Sequence, residues 1–296
     1  MEAMEMLAAK TCSPPDGKIR RPSPARSFAP REHGAYGQIA LPLVTALAGG
    51  RPGMAAFCLG AAGVLVFLAH EPLLVVMGRR GARALREDGL RARRRLGWLG
   101  SAAIALGGFG LLTAPEMVRW LALLPIGLGL VVGGFIREGA EKTAAGELLA
   151  ASTLSSVAAP IAVASGTPWS VAICTWMAWC LGLASATMAV RTVVASTRNR
   201  VALLARIAGP LVLASVGTAV AGLGLVPAFI WLAFVPTSAL ALGLAARPPA
   251  ARHLRRIGWA LVGATAFAAL VLVIGARSGS PTPPSSPISV NLPLAR

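Results

Sequence analysis

Long apolar segments alternate with short polar segments from residue 34 to residue 276. A helix needs roughly 20 mainly apolar residues to cross the hydrocarbon core of a bilayer. The pattern therefore predicts an all-α fold, a polytopic membrane helix bundle of about nine transmembrane helices. The predicted spans cover residues 34–50, 53–78, 96–114, 116–136, 143–165, 168–193, 201–222, 225–246 and 256–276.

Glycine and proline mark several of the joints between these spans. They occur together at residues 49–53 and 166–168, and glycine recurs at 222–224. Both residue types end helices and favour turns. We expect tight hairpin turns at all three joints.

Composition and charge narrow the class of protein. The chain is 55% apolar and 13% charged, with a net charge of +17 at pH 7. The 28 Lys and Arg residues lie in short clusters between apolar segments and form no basic stripe with interleaved aromatic residues. The expected partner is therefore membrane lipid and no nucleic acid.

The distribution of basic residues predicts the orientation. With the N-terminus inside, 24 of the 28 Lys and Arg residues fall on the cytoplasmic side. Such an excess is typical of cytoplasmic loops. The sequence predicts a multi-pass, N-in/C-out protein of the cell (inner) membrane. The opposite side keeps only Arg51, Arg119, Arg277 and Arg296.

The domain organisation follows from the same pattern. Residues 1–30 contain scattered prolines and basic residues without an apolar core, which is typical of a disordered basic cytoplasmic arm and not of a signal peptide. Residues 31–277 form the predicted transmembrane helical domain. Residues 278–296 are rich in proline and serine, and we expect a disordered tail.

A charge inside a membrane span is costly and usually faces a partner or a polar cavity. Three such residues stand out, Glu71, Glu147 and Arg191. Arg119 and Arg206 lie near span ends, where a long side chain reaches the interface. Glu71 follows His70 and lies about 12 Å from the basic end of its helix, whereas Glu147 and Arg191 lie about 7 and 10 Å from theirs. All are expected in the cytoplasmic half. We expect Arg191 to pair with Glu71 or Glu147.

These groups and the residues at the mouth of the first span predict a polar cavity open to the cytoplasm. Its candidate catalytic residues are His70, Glu71, Glu147 and Arg191. Its candidate substrate-binding residues share the cytoplasmic side; they are Arg31, Glu32, His33, Arg79, Arg80 and Arg198. Two alternatives stay open: His70 with Glu71 as a structural pair, and the residue 31–33 stretch as a solvated helix start.

The stretch PREHGAYGQIALPL, which begins at Pro30, resembles the opening of the YwiC-like family of bacterial membrane proteins. FLAHEPLLVVMGRR, residues 67–80, is similar to the second helix of that family, and the GEL stretch at 146–148 and Arg191 agree more weakly. The resemblance implies a membrane protein and no particular reaction.

A more distant resemblance is to the UbiA-type intramembrane prenyltransferases, nine-helix N-in bundles with an active cavity facing the cytoplasm. That family holds magnesium and diphosphate with an Asn-Asp-x-x-x-Asp motif at about the position of His70 and Glu71. Here only Glu71 is acidic, with Val75 one turn later. Two alternatives follow: either Arg79, Arg80, Arg191 or Arg198 holds the diphosphate directly, since guanidinium groups match phosphate oxygens, or the substrate is not a diphosphate.

Two functional hypotheses of different class follow, and a third involves no chemistry. The first is an enzyme that acts on a lipid or isoprenoid substrate in a cytoplasm-facing cavity, with His70 or Glu71 as acid or base. The second is a transporter or lipid carrier that uses the same charges as a relay. The third is a non-catalytic accessory membrane protein.

Overall fold

A computed structural model of the chain describes residues 28, 33–198, 203–223, 227–249 and 253–278. Within these ranges all the regular elements are helical, which confirms the predicted helix bundle. In chain order the helices are α1 His33–Ala48, α2 Met54–Val76, α3 Ala82–Thr113, α4 Glu116–Glu138, α5 Ala144–Ser156, α6 Ala158–Ala164, α7 Trp169–Arg198, α8 Leu203–Gly222, α9 Ala228–Ala246 and α10 Leu254–Ser278.

Seven helical segments of the described chain are long and apolar enough to cross a membrane, with α5 and α6 together counting as one. The apolar parts of α1 and α8, Ala35–Ala48 and Ile207–Ala219, are shorter. The chain is thus a multi-pass membrane protein.

Helix α3 begins at Ala82, well before residue 96, where the third span was predicted to begin. Residues 82–95 belong to helix α3, although their charge led us to expect a loop up to residue 95. Alanine, leucine and arginine are good helix formers whatever their polarity, and α3 packs along α2. Gly78 and Gly81, with φ of 73° and 91°, form the short turn that replaces the expected loop.

The fifth span is interrupted where the sequence predicted a continuous helix over 143–165. Ser155 and Ser156 donate side-chain hydrogen bonds to the carbonyls of Ser152 and Thr153, at 3.1 and 2.7 Å. Pro160 has no N–H to donate to the carbonyl four residues earlier. Local hydrogen bonds of this kind compete with helical ones, and the helix breaks at residue 157.

Helices α7 and α9 form the centre of the bundle. Their contact buries Trp179 and Ile230 together with Leu272 of α10. Helix α1 packs on α5, α6 and α10, whereas α3 packs mainly on α2, and α4 mainly on α5 and α6. The central helices therefore hold the core, and α3 and α4 form the lipid-facing edge.

The turns meet at the two ends of the bundle as the alternation of spans predicts. At one end, the Arg51 N–H donates to the carbonyl of Ser165 at 2.7 Å, and Arg277 Nε donates to the carbonyl of Ala48 at 2.7 Å. The tight turns predicted at 49–53 and 166–168 are confirmed there; part of the third, at 224, lies outside the described residues. We call this the outer end and the opposite one, which carries the 77–81 and 139–143 turns, the basic end.

The orientation remains a prediction that accessibility to a thiol reagent tests. In a chain freed of native cysteines, Arg86→Cys at the basic end should resist an impermeant maleimide in intact cells, because the excess of basic residues predicts that this end faces the cytoplasm. The matched variant Arg51→Cys is also exposed, at the outer end, and should react. Labelling of Arg86→Cys before cell lysis would reverse the orientation.

Close packing of Gly50 against Ser165 makes a second prediction. A Cβ on Gly50 would lie 2.2 Å from the Ser165 carbonyl oxygen, whereas one on Gly53 meets nothing within 4 Å. Gly50→Ala should therefore lower the free energy of unfolding by about 1–3 kcal/mol, the usual cost of overpacking. Gly53→Ala is the control and should change the thermal midpoint little; equal midpoints for the two variants would contradict this account.

Candidate functional site

Glu71 is buried within α2 and is held by an arginine from the turn that follows. Arg80 donates from Nε to Oε1 at 3.0 Å and from Nη2 to Oε2 at 2.5 Å, so that both carboxylate oxygens accept. The Glu71 side chain is 5% exposed and the Arg80 side chain 31%. The two-point geometry is the one that guanidinium and carboxylate prefer. The partner of Glu71 is therefore a residue nine positions along its own chain.

Glu147 pairs with Arg191, which confirms one of the two predicted pairings. Arg191 Nη1 lies 2.7 Å from Glu147 Oε2 and donates to the carbonyl of Lys142 at 3.4 Å. Thr143 caps α5 by accepting from the Gly146 N–H at 3.1 Å. This cap orients the first turn of α5, which carries Glu147. The Arg191 and Glu147 side chains are 38% and 41% exposed, so the pair is accessible to a ligand.

The two ion pairs lie at the same end of the bundle, where the 139–143 turn lies close to both Arg79 and Arg191. Nη1 of Arg79 lies 3.6 Å from the position that a Cβ of Gly139 would occupy. Gly139 is three residues from Lys142, whose carbonyl accepts from Arg191, and three residues span at most about 11 Å. The predicted convergence at one end thus extends to Arg79, Arg80, Glu71, Glu147 and Arg191, although the acids form two separate pairs.

Other predicted site residues cannot be assigned to this cluster. Arg31 and Glu32 lie outside the described residues. His33 begins α1 and Arg198 ends α7, but their side chains also lie outside the described part. Their proposed roles in substrate binding stay predictions.

The side of α2 that faces outward changes along its length. Near the outer end the exposed residues of α2 are Met54, Phe57 and Ala61. Near the basic end they are Val66 and His70, followed by Met77, which caps the helix directly after Val76. With about 100° between successive residues, these two sets lie on opposite sides of the helix. We call Val66, His70 and Met77 the open face of α2.

The open face exists because the helix that covers this side ends halfway. Toward the outer end, Gly63 lies on the same side and packs against Val157, at 3.7 Å from its would-be Cβ to the Val157 side chain. Helix α6 is a main packing partner of α2, whereas α5 is not. The chain is thus in contact with α2 along α6 and leaves it at the α5–α6 break. Between the break and the basic end, α5 does not cover α2.

Two cavities described in the structure lie away from these residues. One of about 170 Å³ is lined by Trp176, Val216 and Phe234 among others, between α7, α8 and α9. The second, about 620 Å³, lies between α9 and α10 near Phe229 and Ile274. Both are almost entirely apolar. In the described part of the chain, His, Cys, Asp and Glu form no group of three that could hold a metal ion.

Sequence reasoning missed Phe28. This residue is 1% exposed and packs against Val75 of α2 and Ala92 of α3. The guanidinium carbons of Arg91 and Arg95 lie 4.9 and 5.7 Å from its ring centroid. The available signal was a single aromatic residue at the end of a polar, proline-containing arm. An isolated aromatic residue in such a segment needs an apolar surface to cover it.

Comparison with known proteins gives one match. Residues 29–163 match a family model described as YwiC-like protein, which confirms the resemblance seen in the sequence over α1 to α6. Neither the curated proteins nor the solved structures contain a match to this chain. The matched range contains Glu71, Arg80 and Glu147, and ends before Arg191.

The different burial of the two pairs predicts different stability losses. Arg80→Gln leaves the buried Glu71 carboxylate uncompensated and should cost about 3–5 kcal/mol of unfolding free energy. Arg191→Gln breaks a pair that is about 40% exposed and should cost about 1 kcal/mol or less. Thermal unfolding in detergent measures both, and the double variant Glu71→Gln/Arg80→Gln should recover most of the first loss. A larger loss in Arg191→Gln would contradict this ranking.

Proposed function

We propose that this chain, whose residues 29–163 match the YwiC-like family model, is an enzyme of the inner membrane that acts on a lipid or isoprenoid. The apolar chain of this substrate lies along the open face of α2. Its head group is anionic, carries a phosphate and lies at the basic end. The fold is that of a UbiA-like bundle, in which arginines hold the phosphate.

The observation that carries this proposal is that opposite sides of α2 are exposed near its two ends. An apolar helix side that is packed near the outer end and uncovered near the basic end suits a chain that enters from the bilayer. Val66 and Met77 supply apolar contact, with exposures of 62% and 40%. His70 lies between them on the same face. The open face thus offers apolar surface and one ionisable group together.

Arg191 is the residue best suited to the head group. Its described contacts all come from Nη1, which leaves Nε and Nη2 for another acceptor. Two parallel N–H donors on one guanidinium match two oxygens of a phosphate. Arg79, at the neighbouring turn, adds a second positive charge. Both side chains are accessible at the end where the open face ends.

The chemical roles differ between the acidic and basic candidates. Glu71 has both oxygens engaged by Arg80, so it positions Arg80 and the 77–81 turn. His70 is the exposed group on the open face, and imidazole is the side chain that most readily gains and loses a proton near neutral pH. We assign the acid–base role to His70. Glu147 positions Arg191 through their ion pair.

The outer end favours an enzyme over a transporter. The Gly50 backbone lies against Ser165, and Arg51 and Arg277 donate to backbone carbonyls across that end. A transporter requires access to its site from both sides of the membrane. Access from the basic end alone is what an enzyme of one leaflet needs.

Native mass spectrometry of the gently purified chain tests substrate binding. The wild-type protein should retain a phosphate-bearing lipid or isoprenoid, and Arg191→Gln should reduce its occupancy on the order of tenfold, because one charge-assisted phosphate contact is lost. Arg83→Gln is the matched control, since Arg83 also pairs with a glutamate at the basic end, Glu87, at 2.7 Å. Equal retention by both variants would reject the head-group site.

Catalysis is tested separately in cells. Lipid extracts from cells that express the wild-type chain should contain a species that His70→Gln does not produce, while the purified His70→Gln protein keeps its bound lipid. Identical extracts together with retained binding would reject the catalytic role and indicate a carrier. Absence of any bound lipid in the folded wild-type protein would reject the proposal as a whole.

A further inference from the structure

The cluster around Phe28 takes no part in the proposed reaction, yet it concentrates positive charge. Arg91 and Arg95 lie over the same phenylalanine ring, so their guanidinium carbons are at most about 11 Å apart, as the two ring distances require. They are four residues apart on one helix. Like charges at this spacing repel each other. The ring holds both side chains in place in spite of that repulsion.

Exposed positive charge continues along α3 beside these two arginines. Arg93 and Arg94 lie beside the pair and are exposed. The ion pair described for the group joins Arg91 to Asp88 at 3.5 Å, a long contact. Three exposed guanidinium groups, those of Arg93, Arg94 and Arg95, thus lie at neighbouring positions of one helix and suit an anion from outside the chain.

The position of the cluster along α3 identifies the anion. Counting 20 residues of 1.5 Å back from Thr113 places the edge of a 30 Å hydrocarbon core near residue 94. Trp98 is 80% exposed and lies one turn deeper, where tryptophan commonly marks the membrane interface. Leu90, 67% exposed, lies one turn further out on the same side. The arginines thus lie at the level of lipid phosphates, between apolar side chains.

We propose that Phe28, Arg91 and Arg95 form a binding site for the head group of an anionic phospholipid. The ring fixes the two guanidinium groups before the lipid arrives, so less side-chain entropy is lost on binding. Each guanidinium donates to phosphate oxygens, and Arg93 and Arg94 add to the local positive potential. This site shares no residue with the proposed substrate site and does not depend on it.

A lipid titration of the full-length chain, delipidated in mild detergent, tests the site. Phosphatidylglycerol should raise the thermal midpoint saturably and phosphatidylcholine should not. In Arg91→Gln/Arg95→Gln the apparent affinity for phosphatidylglycerol should fall about 25-fold, because each arginine near an anionic lipid surface contributes about 1 kcal/mol, or fivefold. The control Arg83→Gln/Arg86→Gln removes equal charge from the same helix and should change affinity less than about twofold.

Phe28→Leu examines the role of the ring by itself. Leucine fills the apolar contact with Val75 and Ala92 but has no aromatic face, so this variant should fold and bind phosphatidylglycerol several-fold more weakly. Wild-type affinity in Phe28→Leu would overturn the assigned site. So would equal weakening in the Arg83→Gln/Arg86→Gln control, equal binding of the two lipids, or protection by inorganic phosphate that matches that by phosphatidylglycerol. None of these outcomes concerns Arg191 or His70, so the proposed reaction is tested independently of this lipid site.

Discussion

A carboxylate within an apolar helix must be neutralised by a partner, and Glu71 imposes this constraint on the basic end. Its side chain is 5% exposed, and a charge so far from water is tolerated only when it is paired and hydrogen-bonded. Arg80 reaches it because Gly78 and Gly81 adopt positive φ and reverse the chain within a few residues. The ion pair thereby determines where α2 ends and brings α3 back alongside it.

The second pair shows how exposure changes what the same two residue types can do. Glu147 and Arg191 are about 40% exposed, so their pairing contributes little to stability, and Arg191 keeps donors for a ligand. Glu71 has no such capacity, since Arg80 occupies both its oxygens. In the proposed function, stability and binding thus belong to different ion pairs at one end of the bundle.

The break between α5 and α6 connects local sequence to the proposed site. Serine hydroxyls that bond to nearby carbonyls and the proline at 160 interrupt the helix. Helix α6, on the outer side of the break, packs on α2, whereas α5, on the basic side, is not a main packing partner of α2. Val66, His70 and Met77 are exposed as a result. A few polar atoms at residues 155–156 therefore decide whether α2 offers a surface to the bilayer.

Apolar periodicity was sufficient to predict the helix bundle and most span boundaries, because a helix in lipid must satisfy its own backbone and be long enough to cross. The positions of the charged residues between and within the spans predicted the end at which they gather. Apolar periodicity failed at residues 82–95, where helix propensity and packing on α2 extend a helix through charged sequence. The sequence also left open which glutamate Arg191 would meet, and it did not single out Phe28. Glu147 and Arg191 are 44 positions apart, and Phe28 lies more than 60 positions from Arg91 and Arg95. Only the tertiary packing brings such residues within hydrogen-bonding or ring-contact distance, because no local pattern encodes the separation between helices.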